Sequence, residues 1–555
     1  MINLKLKKGL TAILSATLAT TLIVVTPSVA QAESISCTDV TKAGGASGKS
    51  VTFEKCVGKD FQGAEFEIRM PKEFNGTMFI YSHGIRHATT LPIIPGVNPS
   101  AVDLATGYPD GWRSKLRTFP IVAPGRSPID EETNAMDLLS QGFAVSGASP
   151  IRGGWAVPEH INANLNLWST AIVKYPNIKK VVSWGDSLGG HISQRMSEEF
   201  GIIDAAIDLH LAGSASTQFA QLGDLVWLFK NFFDPTIVGH GYSTAGGYDS
   251  MVSDIGKILK ALVALQTAFA QNPTAPVWPD TAPAALRLSP IPSRSAVLLM
   301  GLLSGIPTQS TSYDGVTGPP GAETSFALTL NPAAAILENI STVLGLAITA
   351  GYDAEMRCDG IVFDNTKTDY SARLGDNFEV FAAGLSGSKA VTPMLGYLSP
   401  LNPAAKRVAG NPAALKCLNN QSQYSGAIST PTITLSQTAD QVTPPGYVQK
   451  LKDMYAAKVE AKAAKPGYLM NIWSKPPDSY TKFGATGALT PPVPTAGTSH
   501  FMFTNKQIMA IAKLGAAAAI SGKLPSTKAA LAAFKKDASI FIDPDYTPAL
   551  MPQEQ

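Results

Sequence analysis

The stretch Lys179-Lys180-Val181-Val182-Ser183-Trp184-Gly185-Asp186-Ser187-Leu188-Gly189-Gly190-His191 constrains the fold more than any other part of this chain. A run rich in β-branched residues meets Gly-x-Ser-x-Gly, after which Ile192, Met196 and Phe200 recur four residues apart. That order reads as strand, sharp turn and helix. The glycines have a steric reason, because on so tight a turn a neighbouring Cβ would press against adjoining backbone. Ser187 would then project its hydroxyl above the end of a sheet. The backbone N–H of Leu188, at the N-terminus of the following helix, would lie ready to stabilise an oxyanion.

The N-terminus carries Lys5, Lys7 and Lys8, an apolar run from Leu10 to Val25, and Ala30-Gln31-Ala32. This is the pattern of a secretory signal peptide over residues 1–32, so the exported chain is expected to begin near Glu33 and to act outside the cell. The run is too short and wrongly flanked for a membrane anchor, and no later stretch is expected to span a bilayer. The chain has 44 basic and 42 acidic residues, and without the three leader lysines the balance is 41 to 42. A near-neutral chain offers no electrostatic footprint for nucleic acid or an anionic membrane. Apolar residues make up 45% of the sequence and charged ones only 15%, which favours a globular chain over a disordered one. Roughly 520 exported residues exceed what one compact core needs, so a core domain with a large insertion is expected.

Four cysteines in an exported chain favour two disulfides. Proximity in sequence suggests Cys37 with Cys56 and Cys358 with Cys417, with two other connectivities open. No Cys-x-x-Cys pair and no cysteine near a histidine motif supports zinc, so neither metal nor cofactor is expected.

Taken in order, residues 34 to 70 alternate apolar and polar in short runs, notably Ser50 to Cys56 and Ala64 to Met70, like antiparallel edge strands. Gly76 to Ser82 reads as a buried strand ending in His83-Gly84-Ile85, where a second oxyanion donor is expected from the backbone of Gly84 or Ile85. From Arg86 to about Asp130 the chain is rich in proline and glycine without a sustained period, and such a loop can cover a pocket. A helix over Glu132 to Gln141, a strand over Phe143 to Ser146 and a helix over Glu159 to Lys174 follow. They lead to the nucleophile strand, and Ala205 to Leu211 follows as another. Strands alternating with helices argue for a mainly parallel, doubly wound α/β sheet. The alternation stops over residues 214–427, where helices are expected at Phe219 to Phe233, Ser250 to Gln271 and Ala333 to Ala350. This stretch reads as an inserted, mostly helical cap dividing a core of residues 33–213 and 428–555. The alternative is an independent second domain. The sheet pattern returns at Thr430 to Ser436, ahead of Asp440, and ends at Tyr468 to Ser474. His500 lies on the loop before a helix opened by the capping box Thr504 to Gln507.

Ser187, Asp440 and His500 thus each follow a strand, in the chain order Ser, Asp, His. A serine hydroxyl is a weak nucleophile that needs a base, and the base needs a carboxylate to hold its tautomer. The elbow, the strand followed by Thr-x-Asp-x-Val-Thr-Pro-Pro, and the late Ser-His-Phe before a helix together resemble the α/β-hydrolase superfamily over roughly residues 50 to 213 and 428 to 522. The resemblance is to secreted esterase and lipase-like members. It implies Ser187 as nucleophile, His500 as base and then acid, Asp440 as its orienting carboxylate, and Leu188 with Gly84 or Ile85 as oxyanion donors. Two positions depart from the pattern. Asp186 precedes the serine, where its carboxylate would raise the histidine's basicity or be solvated, and Gln437 stands where a glycine is common.

Other residues compete for roles. His191 lies one helical turn past Ser187 and reads as structural. His83 could bond at the oxyanion site, and Trp155 could line an acyl pocket or belong to the core. Asp478 is a weak rival for Asp440, and Asp359, Asp364 and Asp369 lack the spacing of a calcium loop. The expected chemistry is hydrolysis of a small or polymeric carboxylic ester with an apolar portion, through an acyl-enzyme. An exopeptidase of the same fold, with Glu323, Glu338 or Glu355 holding a peptide terminus, and a catalytically inactive binding protein are the alternatives. The oligomeric state is open.

Overall fold

The computed structural model describes residues 34–46, 48–86, 133–150, 152–321, 330–384, 390–485, 489–490, 495–500 and 502–554. The leader, most of the proline- and glycine-rich loop after Arg86, and Glu323 lie outside these residues.

A ten-stranded sheet organises the described chain, in the order β1-β2-β3-β5-β4-β6-β7-β8-β9-β10. The strands are β1 (Ser34–Ala43), β2 (Ser50–Lys59), β3 (Glu65–Pro71), β4 (Thr77–Ser82), β5 (Ala144–Ser149), β6 (Lys180–Asp186), β7 (Ala205–Leu209), β8 (Thr432–Gln437), β9 (Leu469–Ser474) and β10 (Ile540–Phe541). β1, β2, β3 and β5 pair antiparallel in turn, β5 through β9 are parallel, and β10 returns antiparallel on β9. The parallel strands β4 to β8 are buried on both faces, as a sheet covered by helices on both sides requires, while β9 is buried only over its second half. Along β4, Met78 and Ile80 join the core beneath the helices Val157–Lys174 and Leu188–Glu199. Phe79 and Tyr81 join the opposite core beneath Asn505–Ser521.

The chain passes from β4 outward to β5 and returns across β4 to β6. Connections leaving β4 and β6 therefore run in opposite directions, and a crevice opens at their carboxyl ends. This is the α/β-hydrolase fold expected from the sequence. The edges carry two additions. β1 doubles the antiparallel hairpin, with Cys37 and Cys56 as register partners joined by a disulfide, and β10 extends the far side.

Between β7 and β8 the described residues add no strand to the sheet. They hold the helices Ala215–Phe233, Gly247–Gln271, Ser293–Ser304, Asn331–Cys358 and Pro412–Gln421, with shorter ones between them. The helix Asn331–Cys358 packs against the first three and is tied to the last by the Cys358–Cys417 disulfide. Contrary to the expectation that nothing past the leader could span a bilayer, this helix is long and apolar enough by length and composition. Most of that stretch is buried against its neighbours, which is what a core helix does. Ser293–Ser304 is buried at every residue, and so gives no amphipathic period by which to find it.

Among the side-chain bonds that fasten this stretch to the sheet-bearing part, two carboxylate clusters stand out. Asp353 of the long helix pairs with Arg152 at 2.5 Å and accepts from the Trp155 N–H at 3.2 Å, while Arg357 pairs with Glu159 at 2.8 Å. Asp314 accepts from the backbone N–H groups of Tyr480 and Thr481, each at 2.8 Å, on the segment leading to His500. Burial pushes the Asp314 carboxyl up, but bonds from the Thr317 hydroxyl and from the Thr481, Val316 and Tyr480 amides outweigh it and bring it down to about 2. A carboxyl depressed on folding stabilises the folded state above its unfolded pKa, and that stabilisation is lost as pH falls through the folded value. The melting temperature is therefore expected to fall between about pH 4 and pH 2, and less steeply in Asp314→Asn, as scanning calorimetry at stepped pH would read.

Candidate active site

At the end of β6 the chain reverses so sharply that Ser187 adopts φ 58° and ψ −119°, a conformation that costs a non-glycine residue roughly 1–3 kcal/mol. Its glycine neighbours make the turn possible. A Cβ on Gly189 would stand 1.9 Å from the Ser82 carbonyl oxygen, and one on Gly185 would stand 2.5 Å from both that oxygen and the Gly189 carbonyl. The Ser187 turn is thus pressed directly onto the end of β4. There Gly84 runs alongside, since a Cβ on it would lie 3.5 Å from the Ser187 Cβ. The Gly84-Ile85 backbone therefore borders the serine at the crevice between β4 and β6.

Backbone bonds continue the sheet beyond the formal strand ends. The Ser187 N–H donates to Leu209 O at 2.8 Å, and the His210 N–H donates to Leu435 O at 3.0 Å. These bonds align the carboxyl ends of β6, β7 and β8. Past β8, the Ala439 N–H donates to Gly497 O at 3.1 Å and the Ser499 N–H donates to Ala439 O at 3.0 Å. One parallel bridge between Ala439 and Thr498 thus brings the histidine loop beside the acid loop.

Asp440 is fully buried, and three of the donors around it come from the turn that follows it. Oδ1 accepts from the N–H groups of Val442 at 2.8 Å and Thr443 at 2.9 Å. Oδ2 accepts from Thr443 Oγ1 at 2.9 Å and lies 2.7 Å from His500 Nδ1. These bonds account for the residues after the aspartate: the turn wraps its own amides and the threonine hydroxyl around the carboxylate. Burial pushes the carboxyl up, but His500 first and the neighbouring His210 after it outweigh burial and hold Asp440 well below the usual carboxylate range. An ionised acceptor on Nδ1 leaves the His500 Nε2 lone pair available to take a proton.

The other sequence candidates fall into place around this pair. Asp186 is neither solvated nor bonded to His500: it is buried and accepts from Tyr81 Oη at 2.8 Å. His83 is buried with Nδ1 2.6 Å from Gly84 O and its ring 4.4 Å from that of His160. Burial above all, then the neighbouring His160 and Arg86, holds His83 well below its ordinary value. Trp155 packs edge-on against Phe219 in the core. His191 bonds Gly213 O at 3.0 Å and Ser422 Oγ at 2.9 Å, tying its helix to the chain beyond. The Asp478 side chain is fully exposed, far from the role of a buried acid. Glu355 accepts from the Gly241 and Tyr242 amides and Glu338 from the Ser310 hydroxyl. Asp364 and Asp369 each close a local turn, the first onto Thr366 and the second at a helix N-terminus.

His210, at the end of β7, was not singled out in the sequence. It is buried with φ 48°, stacks on Phe503 at 4.2 Å and places Nδ1 3.4 Å from Asp440 Oδ2. Its only sequence signal is its place at a strand end between the strands of Ser187 and Asp440. Two cavities of about 560 and 650 Å³ open elsewhere among the described residues, and neither is lined by Ser187, Asp440 or His500.

No protein-family model and no curated protein sequence matches the chain. Solved structures are similar to it. Feruloyl esterase B from Aspergillus oryzae matches over 90% of this chain and 88% of its own, at 9% identity and a TM-score of 0.39. Candida antarctica lipase A in its closed state matches over 90% and 84%, at 13% identity and 0.35. An esterase from Aspergillus oryzae matches over 80% and 78%, at 10% identity and 0.35. The fold assignment rests on the strand order and the strand–turn–helix at Ser187 of this chain rather than on these scores.

Gly189→Ala drives a Cβ into backbone that has no room to yield, so it is expected to lower stability by about 3 kcal/mol or more, read as a shift in the denaturant midpoint.

Proposed function

We propose that the protein is a serine hydrolase that cleaves carboxylic esters through an acyl-enzyme. The observation that carries this reading is the buried Asp440–His500 pair, set at the same carboxyl edge of the sheet as a serine held in a strained turn. Ser187 Oγ attacks the ester carbonyl carbon while His500 Nε2 takes the hydroxyl proton. Asp440 stabilises the imidazolium that forms, and its donors at Val442 and Thr443 keep the carboxylate fixed while it does so. Negative charge on the carbonyl oxygen is met by the Leu188 N–H at the helix N-terminus and by the backbone at Gly84 or Ile85. The imidazolium then gives its proton to the departing alcohol. Water, activated by His500, releases the carboxylic acid and restores Ser187.

The helical stretch between β7 and β8 serves as a cap over this edge, fastened to the core by Asp314 and Asp353. Its many apolar side chains and the chain's near-neutral charge favour an ester with an apolar portion. Two disulfides support the secreted location read from the leader. Of the acidic candidates for the exopeptidase alternative, Glu338 and Glu355 are bonded within the fold, and Glu323 lies outside the described residues.

Purified protein should turn over p-nitrophenyl esters with an optimum in acyl length and leave aminoacyl p-nitroanilides largely untouched. Ser187→Ala should lower kcat by about four to six powers of ten with the fold intact. Preference for the anilides would reassign the substrate, and retention of most activity in Ser187→Ala would remove the serine from the mechanism.

A further inference from the structure

Gln437 ends β8 and is fully buried between the strand that carries the acid and the loop that carries the base. Its carboxamide lies among three groups: the Ser499 carbonyl oxygen at 2.6 Å, the Met502 N–H at 3.0 Å and His210 Nδ1 at 3.1 Å. A carbonyl can only accept and a backbone N–H can only donate, so these two fix the amide orientation. Nε2 faces Ser499 and His210, and Oε1 faces Met502. The reverse orientation would gain one bond to Thr498 O at 3.3 Å while setting oxygen against oxygen and N–H against N–H at the other two.

Two consequences follow from that orientation. Ser499 and Met502 lie on either side of His500, so a single buried amide holds the histidine loop both before and after its functional residue. The hold matters because Ser499 has φ 61°, a backbone conformation that is strained for an ordinary residue and needs its surroundings to persist. The second consequence concerns His210. Accepting from Gln437 places the His210 proton on Nε2, and a lone pair rather than a proton is left on Nδ1. His210 therefore stands 3.4 Å from Asp440 Oδ2 without donating to it, and the imidazole proton on that oxygen is the one from His500.

We propose that Gln437 is a positioning residue of the hydrolytic site: it sets the pose of the His500 loop and selects the His210 tautomer that leaves Asp440 to His500. This rests on the hydrolase reading of Ser187, Asp440 and His500, and it acts through His500 rather than on substrate. The geometry also gives a use to the one position in the acid turn that departs from the glycine common in the resembling family.

Two measurements test it. In wild-type protein labelled with 15N-histidine, the resonance of His210, assigned by its loss in His210→Gln, should show an unprotonated Nδ1. A protonated Nδ1 on His210 would overturn the proposal whatever the variants do. Kinetically, Gln437→Met keeps volume and removes every polar contact, and should lower kcat about 10- to 100-fold with KM within about twofold. Gln437→Glu keeps the acceptor for Met502 but loses both donors, and should show a comparable fall; it is read alone if Gln437→Met does not fold. A folded variant with kcat within about twofold of wild type, or a loss confined to KM, would overturn the proposal. Absence of ester turnover in the wild type would instead strike the hydrolase reading, and the tautomer measurement would still decide the Gln437 contact.

Discussion

The approach of the Ser187 turn to the end of β4 is the constraint from which the site is built. With 1.9 Å between the Ser82 carbonyl and any Cβ on Gly189, backbone meets backbone where side chains would normally intervene. That contact brings Gly84 beside Ser187 and puts both at the crevice where connections from β4 and β6 diverge. Sheet hydrogen bonds then carry the alignment across to β7 and β8. The bonds from Ser187 to Leu209 and from His210 to Leu435 make the three strand ends a single ledge. Asp440 stands just past this ledge, and the Ala439–Thr498 bridge sets His500 against it.

The acid turn shows why buried charge is tolerable here. Asp440 meets two amides, a threonine hydroxyl and an imidazole, so its lone pairs are occupied by donors from residues close in sequence or bridged to them. A carboxylate so furnished is held in one orientation and one protonation state, as its role beside a histidine requires. The fastening of the helical stretch follows the same physics on a larger scale. Asp314 gathers amides from the segment leading to His500, and Asp353 gathers Arg152 and the Trp155 amide. Buried carboxylates with several donors thus join parts of the chain that are more than a hundred residues apart.

Much of this was legible in the sequence because it is local. The Gly-x-Ser-x-Gly turn, the capping box at Thr504 and Gln507, and the β-branched strands each declare themselves within ten residues. What escaped is set by contacts at long range. β10 is an edge addition that depends on its partner β9 and is only two residues long. The helix Ser293–Ser304 is apolar all round because every side is covered, and Asn331–Cys358 is apolar enough to mimic a membrane span for a related reason. Asp186 was read as a modulator of the histidine or a solvated group, and its partner Tyr81 lies over a hundred residues away. His210 carries no motif, and Gln437 showed in the sequence only as a departure from the glycine common at its position. Only the adjacency of β7 and β8, and the return of the chain at Ser499, gives them their places.

The central claim is that Ser187 is a nucleophile activated by His500, and covalent capture tests it most directly. The folded protein should react with a fluorophosphonate at one site, located by peptide mapping to Ser187, and His500→Ala should slow that reaction by orders of magnitude. An adduct on another residue, or labelling of Ser187 at the same rate without His500, would contradict the account.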